Sequence, residues 1–285
     1  MPIEKILVVG SGIMGRGIAY VAAVGGYQVA IQDVSLEALE NAKKEIGITF
    51  DTGITKGKIS KEEAEQSFSR ITFIVDPGTV AADTDLVIEA VPEVMSIKKS
   101  VFEKMDQIMP ERTLLATNTS TMSPTEIGSY TNRPDKVIAM HFFNPVPKMK
   151  LVEIIRGLET SDETAQAIEK VAGKMGKESV MINEFPGFVT SRISSLVGNE
   201  AFHMLMEGVG TAEEIDRAIE LGLNYPMGPF KLGDLVGLDT RLKNLEYMHQ
   251  TLGERFRPSP LLVKYVKAGR LGRKTGKGVY DYNQS

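Results

Sequence analysis

Cysteine is absent from the 285 residues, which excludes disulfides, thiolate zinc sites, iron–sulfur clusters and a cysteine nucleophile together. A reducing, intracellular setting fits that absence, and no metal site is expected. Long apolar runs are missing as well: none approaches the ~18 residues of a spanning helix, and the apolar stretch 6–9 meets glycine too soon for a secretory signal. Cytoplasm is the expected location. Nor is there an excess of positive charge, because 33 basic residues face 37 acidic ones for a net charge of −4. No global field therefore gathers nucleic acid or an acidic membrane surface, and the expected partners are small molecules. Histidine is scarce, with His141, His203 and His249 the full set.

What is present describes an ordinary folded protein, 42% hydrophobic and 25% charged, of a length that favours two domains. Short apolar runs at 6–9, 28–31, 71–75, 86–90, 114–117 and 137–140 alternate with amphipathic segments as far as about residue 183. That alternation predicts a mostly parallel sheet covered on both faces. Helix starts are marked by a hydroxyl three residues before a glutamate: Ser60 with Glu63, Ser123 with Glu126, Thr211 with Glu214. After Glu184-Phe185-Pro186-Gly187 the pattern changes to helical spacing over 188–206, then to helices broken by Pro226, Pro229, Pro258 and Pro260. Two domains are expected, 1–185 and 186–285.

Gly10-Ser11-Gly12-Ile13-Met14-Gly15 matches GxGxxG, and its context gives the match weight. It follows the strand at 6–9, opens an apolar helix, and the second strand runs into Asp33, 23 residues after Gly10. Gly10 permits the tight turn, Gly12 lets backbone approach a pyrophosphate, and Gly15 lets helix and strand pack closely. The helix N-terminus, at Ile13 and Met14, offers N–H groups to the anion. Asp33 would accept from ribose hydroxyls, and its charge repels an additional phosphate, so NAD is preferred over NADP.

A dehydrogenase acting on an alcohol needs a group to take the proton as hydride leaves. His203 lies in an apolar helical stretch and reads as structural, His249 as surface. His141 ends a strand, at the edge where α/β sheets place ligands, and either a catalytic or a structural role is open to it. Glu153 interrupts the apolar run Leu151-Val152-Ile154-Ile155, where a carboxylate wants a partner. Residues 143–150 could turn the chain back so that Glu153 meets His141 as base and orienter; an edge-strand glutamate facing water is the other reading. Thr117-Asn118-Thr119-Ser120-Thr121 also follows a strand and sits at the same edge.

Asn118-Thr119-Ser120, the stretch from His141 to Pro147, Lys150-Leu151-Val152-Glu153 and Pro186-Gly187-Phe188-Val189 together resemble the 3-hydroxyacyl-CoA dehydrogenases. Tyr225-Pro226-Met227-Gly228-Pro229-Phe230 with Gly233-Asp234, and Leu271-Gly272-Arg273-Lys274-Thr275-Gly276, are similar to that family's helical domain and closing motif. The resemblance implies a Rossmann-type doubly wound α/β domain followed by an all-helical domain, with substrate in the cleft between them. It implies His141 as base, Glu153 as its stabiliser and Ser120 as donor to the substrate oxygen. Glu93, Lys98, Ser120, Asn144 and Lys274 are assigned to NAD by the same similarity. Without it, Glu93 and Lys98 would read as solvated helix charges and Lys274 as part of a mobile end. One position departs from the pattern: two residues after Pro-Gly-Phe-Val the family has a catalytic asparagine, and this chain has Ser191, which retains a single hydroxyl.

The reaction implied is the interconversion of a short 3-hydroxyacyl-CoA and its 3-ketoacyl-CoA. The coenzyme A phosphates make Lys56 and Lys58 candidate contacts. A non-catalytic NAD-binding protein and a dehydrogenase of a small 3-hydroxy acid without coenzyme A are the rival readings; the first draws on Ser191, and the His–Glu motif opposes the second. An apolar stripe of Leu196, Val197, Phe202, Met204, Leu205 and Met206 exceeds what a domain of about 100 residues easily buries, and with the resemblance it points to a homodimer through the helical domain.

Overall fold

Ile6 and Val8 enter one hydrophobic cluster and Leu7 and Val9 another, so in the computed structural model the first strand is buried on both faces, as a central parallel strand should be. The structure describes residues 2–283, and the chain divides between Glu184 and Phe185 into two units.

The first unit runs β1 (Lys5–Val9), α1 (Ile13–Val24), β2 (Gln28–Gln32), α2 (Leu36–Thr55), α3 (Lys61–Ser69), β3 (Ile71–Ile74), β4 (Leu86–Glu89), α4 (Met95–Ile108), β5 (Leu114–Thr117), α5 (Pro124–Gly128), β6 (Val137–Phe142), β7 (Leu151–Arg156), α6 (Asp162–Lys174) and β8 (Glu178–Asn183). The strands form one sheet in the order β3-β2-β1-β4-β5-β6-β7-β8. Neighbours are parallel except β6 and β7. The link 143–150 carries no helix and is too short for a crossover, so those two strands must run antiparallel. The order reverses between β1 and β4, which opens a crevice at the strands' C-terminal ends.

β8 escapes a reading based on apolar runs. It is an edge strand, with Val180 49% and Met181 39% exposed, and its residues show no continuous burial. Ser60 and Thr211 form complete capping boxes. Ser123 caps α5 through the Glu126 N–H at 2.9 Å, but the Glu126 carboxylate accepts from the Tyr130 hydroxyl instead of completing the box.

The second unit is helical: α7 (Thr190–Glu207), α8 (Ala212–Gly222), α9 (Pro229–Val236), α10 (Leu238–Leu252) and α11 (Pro260–Lys267). Its core gathers Phe202, Phe230, Leu245, Met248, Phe256 and Leu262, with Leu196, Met204 and Leu205 packed against it. The stripe read as surplus apolar surface is thus mostly this core. Of its members Val197 and Met206, the latter 46% exposed, remain outside. Among the described residues no helix is long and apolar enough to cross a membrane.

Candidate active site

At the end of β1 the chain turns at Gly10, whose φ is +99°; a Cβ there would lie 2.7 Å from the Ala90 carbonyl oxygen. A Cβ on Gly15 would overlap the Gly10 carbonyl. These two glycines are required by the turn and by helix–strand packing. Gly12 has open space where a side chain would stand, and α1 begins there with no side-chain cap and no acidic residue in its first turn. Ile13 is 59% exposed at that end, beside Met14. A cradle of this shape, with uncapped N–H groups pointing outward, fits a pyrophosphate.

Asp33 follows β2 directly. Its Oδ2 accepts from the Ser11 N–H at 2.9 Å and the Ser11 hydroxyl at 2.8 Å, and its Oδ1 from the Ser35 N–H at 3.2 Å. Partial burial pushes the carboxyl up, but the Ser11 and Ser35 donors outweigh it and hold it below the ordinary aspartate value. An anionic carboxylate in that place has the chemistry to accept from hydroxyl groups.

The ends of β4 and β5 carry a second cluster. Glu89 and Lys98 are both fully buried, and the ammonium contacts Glu89 Oε1 and Oε2 at 2.8 and 2.9 Å and Glu93 Oε2 at 3.1 Å. Lys98 is therefore no solvated helix charge, since its three donors are spent on two carboxylates. Burial works against the cation, yet Glu89 and Glu93 more than offset it and raise the Lys98 pKa. Burial likewise opposes the Glu93 carboxylate, and Lys98, Thr119 and Ser120 outweigh it and lower the Glu93 value. Glu93 accepts from the Thr119 hydroxyl and from the Ser120 N–H at 2.9 Å, with Ser120 Oγ at 3.4 Å.

At the end of β6, His141 stands directly opposite Glu153 of β7 in the antiparallel register. The sequence places these two residue types on adjacent strands, and the short link sets the register that makes them meet. Nδ1 lies 2.7 Å from Glu153 Oε2, in a pair of which 9% and 1% of the side-chain surface is exposed. A carboxylate at Nδ1 selects the Nδ1–H tautomer. The Phe143 ring packs on the imidazole with centroids 4.4 Å apart. Asn118 ties this strand to the Ser120 loop: its Oδ1 accepts the Phe142 N–H at 3.0 Å, and its own N–H bonds to the Glu89 carbonyl at 2.8 Å. Asn144 is exposed just beyond, in the same link.

Other named residues belong to other elements. Lys56 is an exposed residue at the C-terminal end of α2. Ser191 is the second residue of α7, half-buried, in the helical unit. Lys274 is in that unit too, held by Asp239 at 2.6 Å, on a tail that is pinned and not loose: Asp234 accepts from the Val279 and Tyr280 N–H groups at 2.9 and 3.0 Å. Asp216 accepts from the Phe230 N–H at 2.8 Å and the Tyr280 hydroxyl at 2.8 Å. Much of the recognisable sequence of this unit is therefore structural. His249 pairs with Glu254 at 3.1 Å, and His203 is half-buried in α7. No local signal sets Ser11, Asn118 or Thr119 apart from the motifs that contain them, whereas Glu89 carries the same signal as Glu153, a carboxylate in an apolar strand.

A Gly-turn cradle and an acidic residue after the second strand, with a buried His–carboxylate pair at the same strand edge, are the arrangement of an α/β dinucleotide-binding protein. Residues 5–185 match the family model described as 3-hydroxyacyl-CoA dehydrogenase, NAD binding domain, and residues 187–282 the model of the C-terminal domain. The chain belongs to the 3-hydroxyacyl-CoA dehydrogenase family, and NAD is its cofactor. It is 48% identical over 285 residues to a probable 3-hydroxybutyryl-CoA dehydrogenase of Bacillus subtilis, covering 100% of this chain and 99% of that one. It is 37% identical to the human mitochondrial hydroxyacyl-coenzyme A dehydrogenase over 98% of this chain and 91% of the other. The crystal structure of (S)-3-hydroxybutyryl-CoA dehydrogenase PaaH1 from Ralstonia eutropha superimposes with a TM-score of 0.95 at 40% identity, covering 99% of each chain.

Proposed function

We propose that this oxidoreductase interconverts 3-hydroxybutyryl-CoA and acetoacetyl-CoA, with His141 and Glu153 as a single acid–base unit. The observation that carries the reading is the buried 2.7 Å contact of His141 Nδ1 with Glu153. The carboxylate orients the ring and leaves proton exchange to Nε2; it then stabilises the imidazolium that forms. In the oxidative direction Nε2 takes the hydroxyl proton, and in the reductive direction it returns it. NAD, when bound, supplies the acceptor for the hydride from carbon 3. Ser120 donates to the substrate oxygen and holds it as charge develops there.

Gly10, Gly12, Ile13, Met14 and Gly15 hold the pyrophosphate and Asp33 the adenosine ribose, which also favours NAD over NADP. Glu93, Ser120, Asn144 and Lys274 complete the cofactor contacts, and Lys98 serves them through Glu93. Lys56 meets the coenzyme A phosphates, and Ser191 donates to the active-site network. The helical unit, 186–285 in this reading, takes part in substrate binding and dimerisation, and the chain works in the cytoplasm. Names of relatives that are 48%, 46% and 40% identical support the four-carbon substrate.

Turnover of acetoacetyl-CoA with NADH tests the pair. His141→Ala should lose at least about 10²-fold, Glu153→Gln should slow the same step, and the double variant should lose less than the product of the two. Independent, multiplicative losses would show that the two residues do not act together.

A further inference from the structure

We propose that Glu89 is a positioning residue for Ser120: it anchors Lys98 at the end of β4, Lys98 holds Glu93, and Glu93 sets the loop that presents the Ser120 hydroxyl. The inference rests on the reading of Ser120 as donor to the substrate oxygen.

Glu89 is completely enclosed and fully engaged. Its Oε1 accepts from Lys98 at 2.8 Å and from the Val91 N–H at 2.8 Å, and its Oε2 from Lys98 at 2.9 Å and the Thr117 hydroxyl at 2.6 Å. A buried ion pair of this kind adds little stability over apolar packing of the same volume. What it does supply is a fixed cation beneath the surface, onto which a second carboxylate can lock. Glu93 is that carboxylate, with 34% of its side chain exposed, and its other oxygen gathers the Thr119 hydroxyl and the Ser120 N–H. The main chain follows the same path, because the Asn118 N–H bonds to the Glu89 carbonyl. Ser120 is thus referenced to β4 twice, once through backbone and once through Glu89, Lys98 and Glu93. Lys98, with no exposed surface and three donors taken, touches neither cofactor nor substrate in this arrangement. Replacing the Glu89 carboxylate by an amide leaves one acceptor oxygen there but makes Glu93 the one carboxylate facing the ammonium among these contacts. Glu93 is then drawn toward Lys98, and the Ser120 N–H loses its acceptor geometry.

A double-variant cycle decides the matter, read as kcat/KM for acetoacetyl-CoA at saturating NADH. Ser120→Ala should lose roughly 10- to 100-fold. Glu89→Gln should lose about tenfold in the parent and less than about twofold when added to Ser120→Ala. Equal losses from Glu89→Gln in both backgrounds would mean that it acts elsewhere, and the positioning role would be wrong. A Ser120→Ala enzyme running at the parental rate would instead remove the Ser120 reading itself. Should Glu89→Gln lack a cooperative thermal transition, Thr117→Val takes its place in the cycle, since it removes only one donor to Glu89. Its loss of about threefold to tenfold should likewise vanish without the Ser120 hydroxyl, and persistence would overturn the proposal.

Discussion

Ser191 stands where the resemblance to the family implies an asparagine. It sits in the first turn of α7, half-buried, where a hydroxyl can donate one hydrogen bond but offers no amide carbonyl. If one donated bond is what the position contributes, Ser191→Ala should cost about 1 to 3 kcal/mol of transition-state stabilisation, a fall of roughly 10- to 100-fold in kcat/KM. Ser191→Asn should keep or raise activity. Measured on one acyl-CoA, an alanine variant within about twofold of the parent would assign Ser191 to the helix surface and leave His141 and Glu153 untouched. Glu153 and Glu89 show what the residue scale can reveal beforehand. A carboxylate among aliphatics has to find a donor, and both did, Glu153 in the histidine that the sequence offers it and Glu89 in a lysine that the sequence does not point to.

Among the elements, α4 ends without the glycine that commonly closes a helix. Arg133, brought in from the segment after α5, takes over: its guanidinium donates to the Asp106 carbonyl at 2.7 Å, to the Met109 carbonyl at 3.2 Å and to the Pro110 carbonyl. Its Nε also meets the Asp106 carboxylate at 2.7 Å, which accepts from the Asn132 N–H and amide at 2.9 and 2.7 Å. Arg133→Ala would strand that buried carboxylate. The expected loss is about 3 to 5 kcal/mol, a fall in Tm of roughly 6 to 20 °C at about 2 to 4 °C per kcal/mol, and a shift under 2 °C in a thermal melt would refute the capping role. Burial pushes the Asp106 carboxyl up, but the Asn132 and Arg133 donors outweigh it and hold it below the ordinary value. The folded pKa lies below the unfolded one, so this stabilisation is present above the unfolded value, about pH 4, and is lost as pH falls through the folded value. Tm measured from pH 7 to pH 3 should accordingly decline more steeply in the parent than in Asp106→Asn.

For the whole molecule, the remaining question is association. The helical unit exposes Ile193 at 53%, Val209 at 67%, Leu221 at 74% and Leu223 at 60%. These differ from the stripe expected from the sequence, whose Phe202, Leu196, Met204 and Leu205 went into the core. A homodimer is still the expected state. Light scattering at micromolar concentration should give twice the 31.2 kDa of one chain, and a single-chain mass would remove the expectation.

Legibility followed range. The Gly-rich turn, the strand alternation and the capping boxes are local, because glycine's freedom at positive φ, the two-residue period of a strand and the reach of a hydroxyl to an N–H three residues on all act within a few residues. From these the doubly wound sheet, the nucleotide cradle and the helical second part could be read from the sequence alone. The tertiary structure decided what depends on residues far apart in the chain: that Lys98 turns inward to Glu89, that Arg133 closes α4 across 27 positions from Asp106, and that the tail bearing Lys274 is pinned by Asp234. Each is a buried charge or an unsatisfied backbone group finding its partner, and a partner for such a group is chosen by distance in space, which the order of residues does not state.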